Sequence, residues 1–354
     1  MNILIVGAGA IGCLVGGKLA AHGQTVTLVG RPRFVEAVQA RGLIIQELSA
    51  TETVHHVRAV ASLAAAYAGA DNAYDLAVLT VKSYDTAAAL TELAAAAKTA
   101  GVALPSVVSL QNGVGNEETI GDVLGAQRVI AGTITTPVTV VETGVIRIDK
   151  PDHRIGLSSW VADSNQPLLI ELTQALEASG FGVRCYPHAQ GMKWTKLLMN
   201  MMANAACAIL DEAPASVFAD PALVDMEIAA WREALAVMRQ AGIRPVNLGK
   251  YPFRVLAPLI RLAPNGLLRP LLRSQVAGAR GGKMPSLHID LHSGKGRSEV
   301  DWLNGAVVRL GKQVGLATPV NRALTETVLA LTAEPEMRVR WRGEHRRLVA
   351  AAAH

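Results

Sequence analysis

Three polar side chains recur at intervals of four positions in a stretch that is otherwise apolar. Lys196, Asn200 and Asn204 stand among leucines, methionines and alanines. Because an α-helix brings residues i, i+4 and i+8 to one face, we expect these three side chains to share a face. A positioned ammonium stabilises and protonates a developing oxyanion, and carboxamides can hold other oxygen atoms of a small substrate. The spacing therefore indicates a substrate-binding face that could supply a general acid.

A glycine-rich turn near the N-terminus is the second feature with a chemical use. Gly7, Gly9 and Gly12 follow an apolar run and form the pattern Gly-x-Gly-x-x-Gly where a helix is predicted to begin. The first glycine permits a tight turn, the second lets the backbone approach a pyrophosphate, and the third lets the helix pack against the strand. The first helical turn, with Ala10 and Ile11, directs free N–H groups at the phosphates. The sequence therefore predicts a dinucleotide-binding site.

The end of the second predicted strand distinguishes between the two nicotinamide cofactors. A carboxylate at this position would bind the ribose 2′-hydroxyl of NAD, but the chain has Gly30-Arg31 there. An arginine is suited to the 2′-phosphate of NADP, and Lys82, which follows a later strand, could reach the same phosphate. A surface role is the alternative for both side chains. We expect NADPH or NADP as the cofactor, with Arg31 and Lys82 as ligands.

Two further polar residues lie at the ends of predicted elements. Asn112 follows a predicted strand directly, at the carboxyl edge where such sheets bind their ligands. Glu299 lies where a late helical segment begins. The helix dipole also favours a carboxylate in a first turn, so Glu299 has a purely structural alternative.

The pattern of apolar runs predicts an α/β protein whose N-terminal part is a Rossmann domain. Short buried runs alternate there with helical patterns, which indicates a doubly wound, mostly parallel sheet. The predicted strands are 2–6, 25–29, 76–81 and 107–110, with helices at 10–22 and 86–99. β-branched runs between 130 and 157 are interpreted as antiparallel strands that extend this sheet. A helix at 167–179 and a strand at 182–185 follow.

Helical patterns dominate the rest of the chain. The predicted helices are 188–210, 221–241, 300–314 and 321–331. The intervening segment 243–285 is rich in Pro, Gly, Leu and Arg, and we expect short helices and loops there. We therefore predict an NADP-binding domain over residues 1–186 and an all-helical substrate and catalytic domain over residues 187–354.

Composition excludes several classes of protein. Half of the 354 residues are hydrophobic and 18% are charged, which is typical of a globular chain. The three cysteines form no disulfide or metal-binding pattern, and the nine histidines show no zinc spacing and no carboxylate neighbours, so no metal is expected. The net charge of +5 is not gathered into a stripe, which argues against nucleic acid as a partner. We expect a cytoplasmic protein with no membrane partner.

Together these motifs resemble the ketopantoate reductase (2-dehydropantoate 2-reductase) family. The glycine turn, the Asn-Gly after a strand, the Lys-x-x-x-Asn-x-x-x-Asn helix and a Ser…Glu-x-Asp-x-x-Asn-Gly stretch occur in the family's order over nearly the whole chain. The resemblance implies a Rossmann domain, a helical domain and an active site in the cleft between them. It also implies reduction of 2-dehydropantoate to (R)-pantoate with NADPH, a step towards pantothenate and coenzyme A.

The resemblance implies roles for individual residues. Lys196 is similar to the lysine that donates a proton to the ketone oxygen, and Glu299 is similar to the acid that accepts a hydrogen bond from a substrate hydroxyl. The substrate's oxygen atoms would be held by Asn112, Asn200, Asn204 and Ser286. Asn112 would also contact the nicotinamide, and Ser286 would bind the substrate carboxylate.

The chain also departs from the family in ways that leave alternatives open. The interval from Ser286 to Glu299 is one residue longer than usual, His288 replaces a glutamine or hydrophobic residue, and segment 243–285 is longer than in compact members. A reductase of another 2-keto acid is therefore an alternative, and a catalytically silent NADP(H)-binding regulator is a third. Lys196 and Glu299 argue against the regulator, because a pure sensor needs no proton donor. The expected partner is a small 2-keto acid, and the oligomeric state is open, a homodimer included.

Overall fold

The computed structural model describes residues 1–69, 73–150, 153–279 and 284–353. The chain divides into two compact units, Met1–Gln111 with Gly115–Lys193 and Asn112–Val114 with Trp194–His354. We predicted a domain boundary near residue 186; the two units separate between Lys193 and Trp194, inside a helix. A short loop, Asn112–Val114, joins the second unit although both its neighbours in sequence belong to the first.

The first unit contains two sheets and the helices that cover them. Its strands are β1 (Asn2–Val6), β2 (Thr25–Val29), β3 (Leu43–Gln46), β4 (Thr51–Val54), β5 (Arg58–Val60), β6 (Leu76–Leu79), β7 (Ser106–Ser109), β8 (Val129–Ile134), β9 (Val138–Glu142), β10 (Val145–Ile148), β11 (Arg154–Ser159) and β12 (Gly182–Cys185). Its helices are α1 (Ala10–Ala21), α2 (Pro32–Arg41), α3 (Leu63–Ala66), α4 (Thr86–Ala100), α5 (Asn116–Leu124) and α6 (Gln166–Ala178), with 3₁₀ turns at Ser83–Asp85 and Ala126–Arg128.

The large sheet has the strand order β12-β11-β8-β7-β6-β1-β2-β5. All its neighbouring strands run parallel except β8 and β11. The central strand β1 is buried on both faces: Ile3 and Ile5 lie in one hydrophobic cluster, while Leu4 and Val6 lie in another. A strand buried on both faces must be covered by helices on both sides, as in a doubly wound fold. The predicted Rossmann-type α/β class is confirmed.

The small sheet has the order β4-β3-β10-β9 and was not predicted. We expected all strands between 130 and 157 to extend the large sheet; this is right for β8 and β11 and wrong for β9 and β10. Strand β10 pairs with β3, and the hairpin β9–β10 packs its apolar side chains over α1. Gly17 of α1 leaves room for β3, since a Cβ there would lie 2.8 Å from the side chains of Leu43 and Ile45. Helix α1 is therefore buried on two sides.

The second unit is helical throughout the part that the structure describes, apart from an isolated bridge between Leu248 and Tyr251. Its helices are α7 (Ala189–Met201, which begins in the first unit), α8 (Asn204–Leu210), α9 (Pro214–Ala219), α10 (Pro221–Gln240), α11 (Phe253–Leu262), α12 (Asn265–Ala279), α13 (Ser286–His292), α14 (Asn304–Gln313), α15 (Pro319–Ala333) and α16 (His345–Ala352), with 3₁₀ turns at Val300–Trp302 and Pro335–Arg340. Among the described residues, no helix combines the length and apolar character needed to cross a membrane.

The predicted single helix 188–210 is wrong, because it is broken between α7 and α8. Ala203 adopts a left-handed conformation with a φ of 58°. Two side chains of α10, four positions apart, satisfy the backbone groups that the break exposes. Glu227 accepts a hydrogen bond from Ala203 N at 3.0 Å, and Trp231 Nε1 donates to Leu198 O at 2.9 Å. These two hydrogen bonds give partners to one N–H and one C=O group that the break would otherwise leave buried and unsatisfied.

Candidate functional site

The glycine turn lies between β1 and α1, and its three glycines differ in what the protein itself requires of them. Gly7 has a φ of 110°, and a Cβ on Gly12 would lie 2.1 Å from Gly7 O. Both positions therefore need glycine for the turn and for close packing. Gly9 is different, because a Cβ there would meet nothing within 4 Å. Its lack of a side chain leaves open space beside the N-terminus of α1, as a bound pyrophosphate requires.

Thr80 is a residue of this turn that the sequence did not single out. It follows β6, and its Oγ1 donates to Gly7 O at 2.6 Å. Because β6 is the neighbour of β1 in the sheet, the hydroxyl fixes the turn from the side. A threonine after a buried strand is too common a pattern to have revealed this contact.

Gly9 and Gly12 form a matched pair for testing the turn. We expect Gly9→Ala to leave the melting temperature unchanged and to weaken binding of NADPH roughly tenfold or more, because the added methyl group occupies only the ligand's space. Gly12→Ala should instead lower the melting temperature, since its Cβ would overlap the backbone of Gly7. Thermal unfolding and a fluorescence titration with NADPH measure both effects. Unchanged affinity in Gly9→Ala would contradict a role for this turn in phosphate binding.

The predicted ligands of the 2′-phosphate lie at the same edge of the sheet. Arg31 follows β2, is exposed and precedes the first residue of α2. Lys82 follows β6, is partly buried and precedes the 3₁₀ turn Ser83–Asp85. Since β6, β1 and β2 are adjacent and parallel, the residues after their carboxyl ends emerge on the same side as the glycine turn. Their assignment to NADP stays a prediction.

Asn112 and Asn200 are brought together within the second unit. Asn200 Nδ2 donates to Asn112 Oδ1 at 3.0 Å. The loop that carries Asn112 is fixed by its next two residues: Val114 N donates to Trp302 O at 3.1 Å, and a Cβ on Gly113 would lie 2.4 Å from that same oxygen. Gly113 also has a φ of 81°, so only glycine suits this position. The Asn-Gly pair thus places a carboxamide beside α7.

Lys196 and Glu299 lie on the elements that flank this pair of asparagines. Lys196 is half-buried on α7, four positions before Asn200, so the two side chains share a face. Glu299 is 5% exposed and directly precedes the 3₁₀ turn Val300–Trp302, to which the loop of Asn112 is bonded. We expected Glu299 to begin a regular helix; the α-helix begins only at Asn304. The catalytic roles of both residues stay predictions.

Asn204 lies beyond the break in the predicted helix and belongs to a second polar pair. Its Nδ2 donates to Ser286 Oγ at 3.2 Å, and its Oδ1 accepts from Leu287 N at 2.9 Å. Because the nitrogen and the oxygen of this buried carboxamide are both hydrogen-bonded to the first two residues of α13, Asn204 positions Ser286. The expectation that Lys196, Asn200 and Asn204 lie on one continuous helix is therefore corrected. Only the first two share α7, and Asn204 begins α8.

Lys193 is a buried charged residue that the sequence analysis did not single out. It is 3% exposed, and its Nζ lies 2.8 Å from Glu117 Oε1 of α5, which is 1% exposed. The ammonium also donates to Gln111 O at 2.8 Å and to Gly132 O at 3.2 Å. Lys193 thereby links α5 and β8 to Gln111, the residue that directly precedes Asn112. Its partners lie far away in sequence, so no local pattern could have indicated them.

The histidines also differ from expectation. We predicted that none has carboxylate company, but His288 and His292 both face Asp211 in the second unit. His345 contacts Glu212 and Asp220. The statement that no histidine is near a carboxylate is therefore wrong.

Comparisons with known families and proteins cover most of the chain. The family described as ketopantoate reductase PanE/ApbA matches residues 3–161, and the one described as ketopantoate reductase PanE/ApbA C terminal matches residues 188–332. A 2-dehydropantoate 2-reductase of Pyrococcus horikoshii is 31% identical over 330 residues, which is 93% of this chain and 97% of the relative. One from Halobacterium salinarum is 29% identical over 332 residues, 93% of this chain and 98% of the relative.

Solved structures share the fold. A PanE/ApbA family ketopantoate reductase from Ralstonia eutropha is 28% identical, with a TM-score of 0.75 and coverage of 100% of both chains. D-mandelate dehydrogenase in a ternary structure with NADH and anilino(oxo)acetate is 23% identical, with a TM-score of 0.77 over 94% of this chain and 98% of that one. The second likeness extends to the fold alone.

Proposed function

Because the chain belongs to the ketopantoate reductase family, we propose that it reduces 2-dehydropantoate to (R)-pantoate with NADPH. The observation that carries the proposal is the arrangement on α7, where Lys196 and Asn200 share a face and Asn112 is hydrogen-bonded to Asn200. An ammonium beside two carboxamides suits a substrate with a ketone and a carboxylate. Conversion to pantoate would place the protein in pantothenate and coenzyme A biosynthesis.

The glycine turn supports a dinucleotide as the cofactor. Gly9 is left without a side chain although nothing in the protein would contact one. The free N–H groups of Ala10 and Ile11 at the N-terminus of α1 can bind phosphate oxygens there. When bound, the nicotinamide supplies the hydride that adds to C2 of the keto acid.

Lys196 provides the proton that completes the reduction. As the hydride adds to C2, the electron pair of the C=O π bond moves to the oxygen, and Nζ of Lys196 transfers a proton to that oxygen. The product is the alcohol, and the lysine is left as a neutral amine that regains its proton from solvent. The ammonium also stabilises the growing negative charge before the proton moves, which lowers the barrier.

The remaining polar residues orient the substrate in this proposal. Asn112 and Asn200 donate N–H groups to substrate oxygens, and their mutual hydrogen bond fixes both amides in advance. Ser286, held by Asn204, binds the carboxylate. Glu299 accepts a hydrogen bond from the hydroxyl of the substrate. A substrate lacking that hydroxyl cannot form this hydrogen bond and should react more slowly.

Arg31 is the residue that we expect to select NADPH over NADH. Arg31→Ala should weaken NADPH binding by roughly tenfold or more and leave NADH binding nearly unchanged, because only NADPH carries the 2′-phosphate. Arg33→Ala, two positions away and also exposed, is the matched control and should have a smaller effect. Fluorescence titration gives the dissociation constants of NADPH and NADH for the wild type and both variants. An equal loss for both cofactors in Arg31→Ala would refute the assignment.

A substrate panel tests the proposed reaction. Oxidation of NADPH is followed at 340 nm with 2-dehydropantoate, 2-oxoisovalerate and pyruvate. We expect the highest kcat/KM with 2-dehydropantoate. Faster turnover of another 2-keto acid would move the proposal to that substrate. Tight NADPH binding without turnover of any keto acid would favour a silent NADP(H)-binding regulator.

A further inference from the structure

Two histidines and an aspartate of the second unit lie close together. His288 and His292 lie four positions apart on α13, and their rings stack with centroids 4.1 Å apart. Asp211 ends α8 opposite them, with its Oδ1 at 2.7 Å from His288 Nε2 and 3.6 Å from His292 Nε2. One ligand atom from each residue lies within 4.8 Å of the other two. We propose that these three side chains bind one divalent transition-metal ion.

The hydrogen bond on the far side of the His292 ring supports this proposal. Nδ1 of His292 lies 2.9 Å from His288 O, and a carbonyl can only accept, so Nδ1 carries the hydrogen. In the neutral ring, Nε2 then presents a lone pair towards the carboxylate of Asp211. Two acceptors that face each other repel, and a cation between them removes the repulsion. Metal-bound histidines usually donate their other ring N–H to a carbonyl or carboxylate in this way.

The ligand types determine which metals fit. Two imidazoles and one carboxylate suit Zn²⁺, Ni²⁺ or Cu²⁺, whereas Mg²⁺ and Ca²⁺ take oxygen ligands. Tetrahedral bonds of about 2.0–2.1 Å place ligand atoms about 3.3 Å apart. The 3.6 Å distance between His292 and Asp211 is close to this value, and His288 need withdraw only slightly from its 2.7 Å contact. The side chains of His292 and Asp211 are 39% and 32% exposed, so water can complete the coordination.

The positive charge of Arg342 opposes the ion. Arg342 Nε lies 3.3 Å from Asp211 Oδ2, and its positive charge competes for the carboxylate. The arginine side chain is 73% exposed, so it can turn into solvent without leaving a buried charge. We therefore expect Arg342→Gln to tighten metal binding, about two- to fivefold. A site that depended on Arg342 for its structure would show the opposite change.

A metal at this place would have a structural consequence. Asp211 terminates α8, while α13 begins at Ser286, which Asn204 holds from the other end of α8. An ion bound by Asp211, His288 and His292 would tie α8 to α13 at a second point. Binding to the folded state alone would raise the melting temperature with metal concentration. This inference does not depend on the substrate proposed above.

Calorimetric titration of the untagged, chelator-treated protein with ZnCl₂ tests the proposal. We expect binding of one equivalent, and Co²⁺ in its place should give the visible absorption of a four-coordinate ion. His292→Ala and Asp211→Asn should each weaken Zn²⁺ binding by roughly tenfold or more, since even the loss of a supporting contact costs about 10–100-fold. His292 is exposed enough for its alanine variant to fold, which circular dichroism verifies.

The matched control is another histidine with carboxylate neighbours. His345 places Nδ1 2.9 Å from Asp220 and Nε2 3.1 Å from Glu212, but among the described residues it forms no cluster with a second histidine. His345→Ala should leave Zn²⁺ binding unchanged. Absence of saturable binding, or equal affinity in the wild type and in His292→Ala, would overturn the proposal. Loss of binding in His345→Ala alone would place the ion elsewhere and overturn it too.

Discussion

Lys196→Ala is expected to lose roughly 100- to 10,000-fold in kcat with 2-dehydropantoate, the usual contribution of a positioned acid. In the proposed mechanism the ammonium acts on charge that exists only in the transition state, so kcat and kcat/KM should fall together. The affinity for NADPH should be unchanged, because the glycine turn belongs to the other unit. Steady-state kinetics and a fluorescence titration measure these quantities on the same preparation.

Two further variants test whether the loss of activity is specific to the ammonium group at position 196. Lys312→Ala removes an exposed lysine of α14 in the same unit and should keep full activity. Lys196→Arg keeps the positive charge but holds its proton too tightly to release it, so it should stay well below the wild type. Turnover of Lys196→Ala close to that of the wild type would remove the lysine from the reaction.

Lys193→Met is expected to have the largest effect on stability, with a loss of about 3–5 kcal/mol in the free energy of unfolding. The side chain of Glu117 is 1% exposed, and the substitution leaves its carboxylate buried without the counter-charge. It also removes the hydrogen bonds to Gln111 O and Gly132 O. The shift of the urea unfolding midpoint, followed by circular dichroism, reports the change.

A double-mutant cycle separates the ion pair from the other contacts of Lys193. Replacing Glu117 as well, in Lys193→Met with Glu117→Met, should cost less than the sum of the two single losses, because no buried charge is left. The exposed pair Arg41–Glu142, with N and O 2.7 Å apart, is the control in the same unit. Arg41→Met should cost no more than about 1 kcal/mol. Equal losses at the buried and exposed pairs would contradict the account of Lys193.

Features that depend on neighbouring residues were predictable from the sequence. Strand β1, the glycine turn and helix α1 follow from an apolar run, three spaced glycines and a largely apolar continuation. The turn is local, so its conformation is encoded in about six residues. The same holds for the spacing of Lys196 and Asn200, which share a face because both lie within α7.

Features that depend on distant residues were not predictable. The strands β9 and β10 carry a valid strand pattern, but the pairing of β10 with β3 depends on packing over α1. The break before Asn204 is stabilised by Glu227 and Trp231, which belong to another helix. A helical pattern of apolar residues continues across the break and gives no sign of it. The buried Lys193 is likewise explained by Glu117, a residue whose helical segment was not predicted.

Transfer of the hydride itself is the most direct test of the proposed reaction. The protein is incubated with 2-dehydropantoate and NADPH carrying two deuterium atoms at C4 of the nicotinamide, and the product is analysed by mass spectrometry. We predict pantoate that contains one deuterium, bound to C2. Pantoate without deuterium, or no pantoate from an enzyme preparation that binds NADPH, would contradict the proposal.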